Sequence, residues 1–152
     1  MKKYKISELV DIKYGKDHKK LKDGNIPVYG TGGIMRYVNK FLYDGESVLI
    51  PRKGSLDKIY YVKDKFWTVD TIFWTIIDTD KVLPKYLYYC LSKIDLSKMN
   101  VGSAVPSLTK SLLNEIEISI PDIKTQKEII KKISIIEDKI ELNNQINANL
   151  AV

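Results

Sequence analysis

Between Ile26 and Ile77 the apolar and aromatic residues come in short runs separated by Gly, Asp and Lys. The runs are Ile26-Pro27-Val28-Tyr29, Ser47-Val48-Leu49-Ile50, Lys58-Ile59-Tyr60-Tyr61-Val62, Phe66-Trp67-Thr68-Val69 and Ile72-Phe73-Trp74-Thr75-Ile76-Ile77. β-branched and aromatic residues at this spacing predict strands. Asp64-Lys65 is expected to close a hairpin between Val62 and Phe66, and Asp44-Gly45 to turn the chain before Ser47. An antiparallel or mixed sheet is expected at the centre.

The period then changes. Leu83, Leu87 and Leu91 recur every fourth residue behind Pro84, which suits a first helical turn. A short helix is expected over Leu108–Asn114, and a last strand over Ile116–Ile120, whose alternation stops at Pro121. Beyond Pro121 the composition shifts: neither Gly nor Pro follows, and Thr125-Gln126-Lys127-Glu128 reads as a capping box with Thr125 as N-cap. One helix is predicted from about residue 125 to the end. Its seam runs through Ile129, Ile133, Ile136 and Ile140 and on through Asn143, Asn147 and Leu150. Two readings stand: a helix packed on its own domain, or a heptad seam for a partner helix, where buried asparagines fix register. The expected class is α+β. A globular domain with a twisted, mainly antiparallel or mixed β-sheet and short flanking helices occupies residues 1–121, and a long coiled-coil-type helix occupies 122–152.

Composition narrows the chemistry. At 152 residues with 44% hydrophobic content the chain can close one real core. The sequence lacks an apolar run of the roughly 18 residues a membrane span needs, and the N-terminal residues lead into a polar stretch. A soluble, cytoplasmic protein without a membrane partner is expected. The single Cys90 lies in an apolar run and reads as a core thiol, and the single His18 lies in a charged run and reads as a solvated loop residue. Asp70, Asp78 and Asp80 show no metal-ligand spacing, and the segment Asn-Pro-Pro-Tyr or Asp-Pro-Pro-Tyr of adenine methyltransferases is absent. No catalytic residue, metal or cofactor is expected. Trp67, Phe73, Trp74, Tyr86, Tyr88 and Tyr89 are expected to pack rather than stack on bases.

The net charge of +6 permits a polyanionic partner. Of 25 basic residues only Arg36 and Arg52 are arginines, the side chain that makes a bidentate contact to guanine. Arg52-Lys53-Gly54-Ser55 puts two cations, a flexible glycine and a hydroxyl together, fit for phosphate or a base edge, or else an exposed turn. Gly30-Thr31-Gly32-Gly33 lacks the lysine and spacing of a P-loop; it reads as a tight connection between strands or as a DNA-contacting loop. Lys13, Lys16, Lys19, Lys20 and Lys22 supply sequence-independent phosphate attraction or a solvated loop.

The succession Gly102-Ser103-Ala104-Val105-Pro106-Ser107-Leu108-Thr109-Lys110-Ser111-Leu112-Leu113, then Ile116-Glu117-Ile118-Ser119-Ile120-Pro121, then Gln126-Lys127-Glu128-Ile129-Ile130, resembles the end of a target recognition domain in the specificity subunit of type I restriction-modification systems. Tyr4–Leu9, Pro27–Gly33, Val48–Ser55 and Leu83–Tyr88 fit the same family in order. The resemblance implies a non-catalytic domain that reads one half of a split double-stranded DNA target, with Lys16, Lys19, Lys20, Thr31, Gly32, Arg36, Arg52, Lys53 and Ser55 as candidate contacts. It implies a following helix that pairs with a second one and spaces two such domains. An adenine methyltransferase subunit, and through the complex a restriction subunit, are the implied protein partners. A full family member resembles two recognition domains and two helices in one chain; with one of each, this sequence is expected to form a homodimer that reads a symmetric site. The rival expectation is a scaffold module that acts through its helix alone.

Overall fold

A computed structural model describes residues 1–150; the last two residues of the expected helix lie outside the described residues. Nine strands and three α-helices follow in order: β1 (Lys2–Lys5), β2 (Val10–Tyr14), β3 (Asp23–Gly30), β4 (Gly33–Val38), β5 (Ser47–Pro51), β6 (Tyr60–Val62), β7 (Trp67–Thr68), β8 (Ile72–Ile77), α1 (Pro84–Ser92), α2 (Lys110–Asn114), β9 (Glu117–Ile120) and α3 (Ile123–Leu150). The strands form three small sheets, ordered β1-β9, β2-β8-β5-β6 and β4-β3-β7. All pairings are antiparallel except β3 with β7.

The four-stranded sheet is buried on both faces, which explains why its central strands read as continuous apolar runs rather than alternating ones. On one face Val48, Ile50 and Phe73 join Ile6, Leu9, Ile12, Leu87, Leu91, Leu113, Ile118 and Ile120 under α1 and α2. On the other, Leu49, Ile72 and Trp74 meet Val28, Val38 and Trp67 of the three-stranded sheet and Phe66 just before β7. Ser47 and Thr75 are the polar exception in β5 and β8, both fully buried. They stitch the place where those strands diverge: Ser47 Oγ donates to the Thr75 carbonyl at 2.7 Å, Thr75 Oγ1 to the Val48 carbonyl at 2.9 Å, and the Val48 and Thr75 amides donate back to the two hydroxyls at 3.0 Å. Side chains here satisfy the backbone that the ladder leaves open.

Several expectations need correction. Asp64-Lys65 does not close a hairpin, because β6 pairs with β5 while β7 crosses to run parallel with β3 in another sheet. Three strands escape the hydrophobic runs. β1 carries three lysines, β2 alternates Val10 and Ile12 inward with Asp11 and Lys13 outward, and β4 leaves Ile34, Met35 and Tyr37 exposed. The N-cap of α3 is Asp122, not Thr125: the Thr125 amide donates to Asp122 Oδ1 at 2.7 Å, and α3 starts two residues earlier than expected. Trp67, Phe73, Trp74 and Tyr86 are buried as expected, whereas Tyr88 and Tyr89 are half-buried. Cys90 packs half-buried against the core, and burial raises its thiol pKa, as for a structural cysteine.

Candidate nucleic-acid interface

Four connections meet at one edge of the sheets. The first leaves β2 at Gly15, where an added Cβ would lie 1.9 Å from the Val69 carbonyl oxygen, so only glycine fits. The Lys16 amide donates to the Thr68 carbonyl at 2.9 Å, and the Trp67 indole donates to the Lys16 carbonyl at 2.9 Å. These bonds anchor the backbone and leave the side chains of Lys16, Lys19 and Lys20 in solvent. The second connection is the two-residue turn Thr31-Gly32 between β3 and β4, with Gly30 paired to Gly33 and Gly33 at φ 113°. The tight-connection reading of the glycine motif therefore describes its backbone, and Tyr60 fixes the tip by donating to the Thr31 carbonyl at 3.1 Å.

The third connection follows β5. Gly54 has φ 96°, in the region that favours glycine, and a Cβ there would lie 3.9 Å from the Thr31 side chain, so the two glycine loops lie side by side. The fourth is the Gly102–Ser107 loop: the Pro106 carbonyl accepts from the Gly54 amide at 2.9 Å, and Lys53 bridges to Ser107. Gly102 has the Val105 carbonyl oxygen 1.8 Å from where its Cβ would stand.

An open cleft of about 570 Å³ lies between these loops, lined by Asp17, His18, Lys19, Gly30, Thr31, Gly32, Met35, Val69, Asp70 and Thr71. Arg52 stands beside it. Its Nε donates to the Asp70 carbonyl at 2.8 Å and its guanidinium lies 5.6 Å from the centre of the Tyr14 ring. Among the described residues, Nε is the one guanidinium nitrogen of Arg52 that makes a hydrogen bond. Lys53 and Ser55 are exposed, and Ser55 donates to Asp57.

Arg36 is placed differently. Its Nη2 donates to Asp23 at 2.8 Å and to the Leu21 carbonyl at 3.0 Å, and its Nη1 lies 3.4 Å from the His18 carbonyl oxygen and 3.5 Å from the His18 ring. The guanidinium ties down the lysine loop from within, and His18 is half-buried rather than solvated. The structure thus brings Lys19, Thr31 and Gly32 to one cleft, with Arg52 beside it and Lys53 on the adjoining loop, and gives Arg36 a supporting place behind them. Met35 and Asp70 line the same cleft; the sequence offers no signal for Met35 and marks Asp70 only as a carboxylate without metal-ligand spacing. The apolar alternation of β4 runs against its exposure, which hides Met35 from pattern reading. A second cleft of about 520 Å³, between Asn25–Pro27 and Asp64–Phe66, sets Lys63 and Lys65 against Asp44 and Asp64 and has neither arginine nor glycine among the described residues that line it. Among the described residues no group of three or more His, Cys, Asp or Glu could hold a metal ion. No helix among them is long and apolar enough to cross a membrane.

At the opposite edge α3 starts against α1. Ile129 and Ile130 pack on the core, Ile133 is half-buried, and from Ile135 to Leu150 every residue is exposed. The first two seam positions are therefore covered within the chain. Ile136, Ile140, Asn143, Asn147 and Leu150 are open, and Ile135, Leu142 and Ile146, outside the predicted seam, widen the apolar stripe beside them.

The model of the type I restriction modification DNA specificity domain matches residues 1–151. The chain belongs to this family. A Haemophilus influenzae protein named as a type I restriction enzyme specificity subunit is 33% identical to this specificity domain over 112 residues, covering 71% of the chain and 29% of the relative. A Mycoplasma pneumoniae protein named as the N-terminus of a type I specificity subunit is 28% identical over 147 residues, covering 91% of the chain and 76% of the relative. The solved S subunit of a type I restriction-modification system from M. genitalium shares the fold, with a TM-score of 0.78 at 20% identity over 92% of this chain and 40% of that one. The specificity domain thus spans less than half the length of the Haemophilus relative and of the solved subunit. Membership makes residues 1–151 a type I restriction-modification DNA specificity domain.

Proposed function

We propose that residues 1–121 read one half of a bipartite double-stranded DNA target, and that residues 122–152 form a dimerisation and spacer helix. The observation that carries this reading is a cleft lined by one glycine loop, with a second glycine loop against it at Thr31 and the Arg52 guanidinium bonded to the Asp70 backbone at its edge. Lys16, Lys19, Lys20 and Lys53 give the sequence-independent attraction to phosphate, while Thr31, Gly32, Arg52 and Ser55 are the candidates for contact with base edges. Asp70 adds an acceptor suited to a cytosine amino group, and Arg52 a fork suited to guanine. Arg36 contributes by holding the lysine loop against Asp23.

Two copies related by a two-fold axis and joined through Ile136, Ile140, Asn143, Asn147 and Leu150 read a symmetric site, since protein symmetry is mirrored in the target. The assembly positions an adenine methyltransferase subunit, and through it a restriction subunit, in the cytoplasm. The test is selection of bound duplexes from a random pool, with and without an adenine methyltransferase subunit, at near-physiological salt. Enrichment of two matching half-sites is expected. If no sequence is enriched even with the methyltransferase present, the reading fails and a scaffold acting through α3 becomes the better account.

A further inference from the structure

The helix α3 is fastened to the domain at two points. At its first turn Gln126 is fully buried, and each polar atom of its amide is matched: Oε1 accepts from the Leu83 amide at 2.8 Å, while Nε2 donates to the Lys81 and Pro121 carbonyls, both at 2.9 Å. Those partners lie in the segment that leads into α1 and at the end of β9, so one side chain ties three pieces of backbone to the helix start. Three turns further on, the Tyr89 hydroxyl of α1 donates to the Glu137 carboxylate, 3.0 Å from both oxygens. Lys85 of α1 lies 3.6 Å from Glu137 and donates to Ser134 at 3.3 Å. Ile129 and Ile130 fill the space between with apolar contact.

One fastening point leaves a pivot, whereas two fix a direction. The points are 11 residues apart, about 16 Å along a helix, and roughly 20 Å of unsupported helix follows Glu137. A tilt of about 10° at Glu137 would move the far tip by about 3.5 Å, close to the rise of one base pair.

We propose that Gln126 and Glu137 are positioning residues that set the number of base pairs between the two half-sites, by fixing the angle at which α3 leaves the domain. The inference rests on the reading of this chain as a half-site reader joined to a second copy through α3. Neither residue touches DNA. The half-site sequence is set at the opposite edge, so loosening the fastening changes the gap and leaves the bases read unchanged.

The experiment is the duplex selection with the full chain, scored for the distribution of gap lengths between enriched half-sites. Wild type is expected to return a single gap. Glu137→Ala and Tyr89→Phe both remove the Tyr89–Glu137 bond, and Glu137→Ala also removes the ion pair with Lys85; Glu137 is exposed and Tyr89 half-buried, outside the main core. Each is expected to keep the half-site sequences and a Tm near that of wild type while the gap spreads by about one base pair either way, and the double variant is expected to spread no further than Glu137→Ala alone. Gln126→Leu, compared only if its circular dichroism matches wild type, is expected to spread the gap more. A single unchanged gap in both Glu137→Ala and Tyr89→Phe overturns this inference and leaves half-site reading intact. A wild type that enriches no paired half-sites overturns the reading of the function, and this inference with it.

Discussion

At the cleft Arg52 turns one guanidinium nitrogen to a backbone carbonyl and leaves the rest of its fork outward, and Lys16, Lys19, Lys20 and Lys53 project into solvent. At the α1–α3 junction the opposite holds. Gln126 is matched atom for atom, Glu137 is held by Tyr89 and Lys85, and among the described residues no buried side-chain polar atom lacks a partner. The difference matches the two roles proposed, a surface that receives DNA and a junction that sets a direction. Polar groups at the cleft are kept in water, where leaving them unpaired costs little; the Gln126 amide is desolvated, where losing a partner costs the full penalty of burial, while Glu137 keeps its partners at the surface.

Breaking the buried side should therefore give the largest effect. Gln126→Leu leaves the Leu83 amide and the Lys81 and Pro121 carbonyls without their partner, and a loss of about 2–4 kcal/mol in unfolding free energy is expected. Urea unfolding of the full chain measures it. A loss below about 1 kcal/mol would show that the amide bonds are replaced by water and that the junction is not the rigid member of the pair.

The next effect belongs to the cleft and appears in binding rather than in folding. Arg52→Ala is expected to leave the melting curve near that of wild type and to weaken binding of a selected duplex by about 1–3 kcal/mol. A base contact would relax specificity at one position. A phosphate contact would lower affinity evenly and reduce the salt slope by about one. An unchanged affinity would remove Arg52 from the interface. Gly54→Ala sharpens the same side through the backbone: φ of 96° penalises any Cβ, although the nearest atom is 3.9 Å from where it would lie. A cost of about 1–2 kcal/mol in stability is expected from conformation alone. A larger loss of DNA affinity than of stability would show that the loop's shape, and not only its presence, matters to binding.

These two regions were unequally legible in the sequence. β5 and β8 show plainly as continuous apolar runs, α1 and β9 because a buried face imposes a period, and the long run without Gly or Pro announces α3. β4 does not, since Ile34, Met35 and Tyr37 face solvent and break the rule that apolar residues point inward. The scarcity of arginine drew notice to Arg36 and Arg52 alike, yet only coordinates show that Arg36 is bound to Asp23 and the loop carbonyls while Arg52 keeps an open fork. Gln126 was visible only as part of a resemblance. A glutamine inside a charged helix start gives no periodic signal, and its meaning depends on Lys81 and Leu83, which are far off in sequence and adjacent in space. The seam of α3 was read as one line of positions, whereas the helix uses Ile129 on its own core and opens a wider stripe with Leu142 and Ile146 beyond it.

The smallest effect concerns how α3 begins, and it distinguishes two caps that look alike in sequence. Asp122 accepts from the Thr125 amide, and its hydrogen bonds with Thr125, side chain first and backbone second, hold its carboxyl below the ordinary value of 3.8. A carboxylate whose folded pKa is depressed contributes stability that is present above its unfolded pKa and is lost as the pH falls through the folded one. Asp122→Ala is therefore expected to lower Tm by about 2–4 °C at pH 7, the size of an N-cap loss in a domain of this length. The difference from wild type should shrink below the ordinary carboxylate value and vanish once both chains are measured below the depressed one. Thr125→Ala keeps the backbone amide that Asp122 accepts and removes only the hydroxyl, so its drop in Tm should be smaller. A larger drop for Thr125→Ala than for Asp122→Ala, or a difference at Asp122 that persists in strong acid, would return the N-cap to Thr125 and start the helix a turn later.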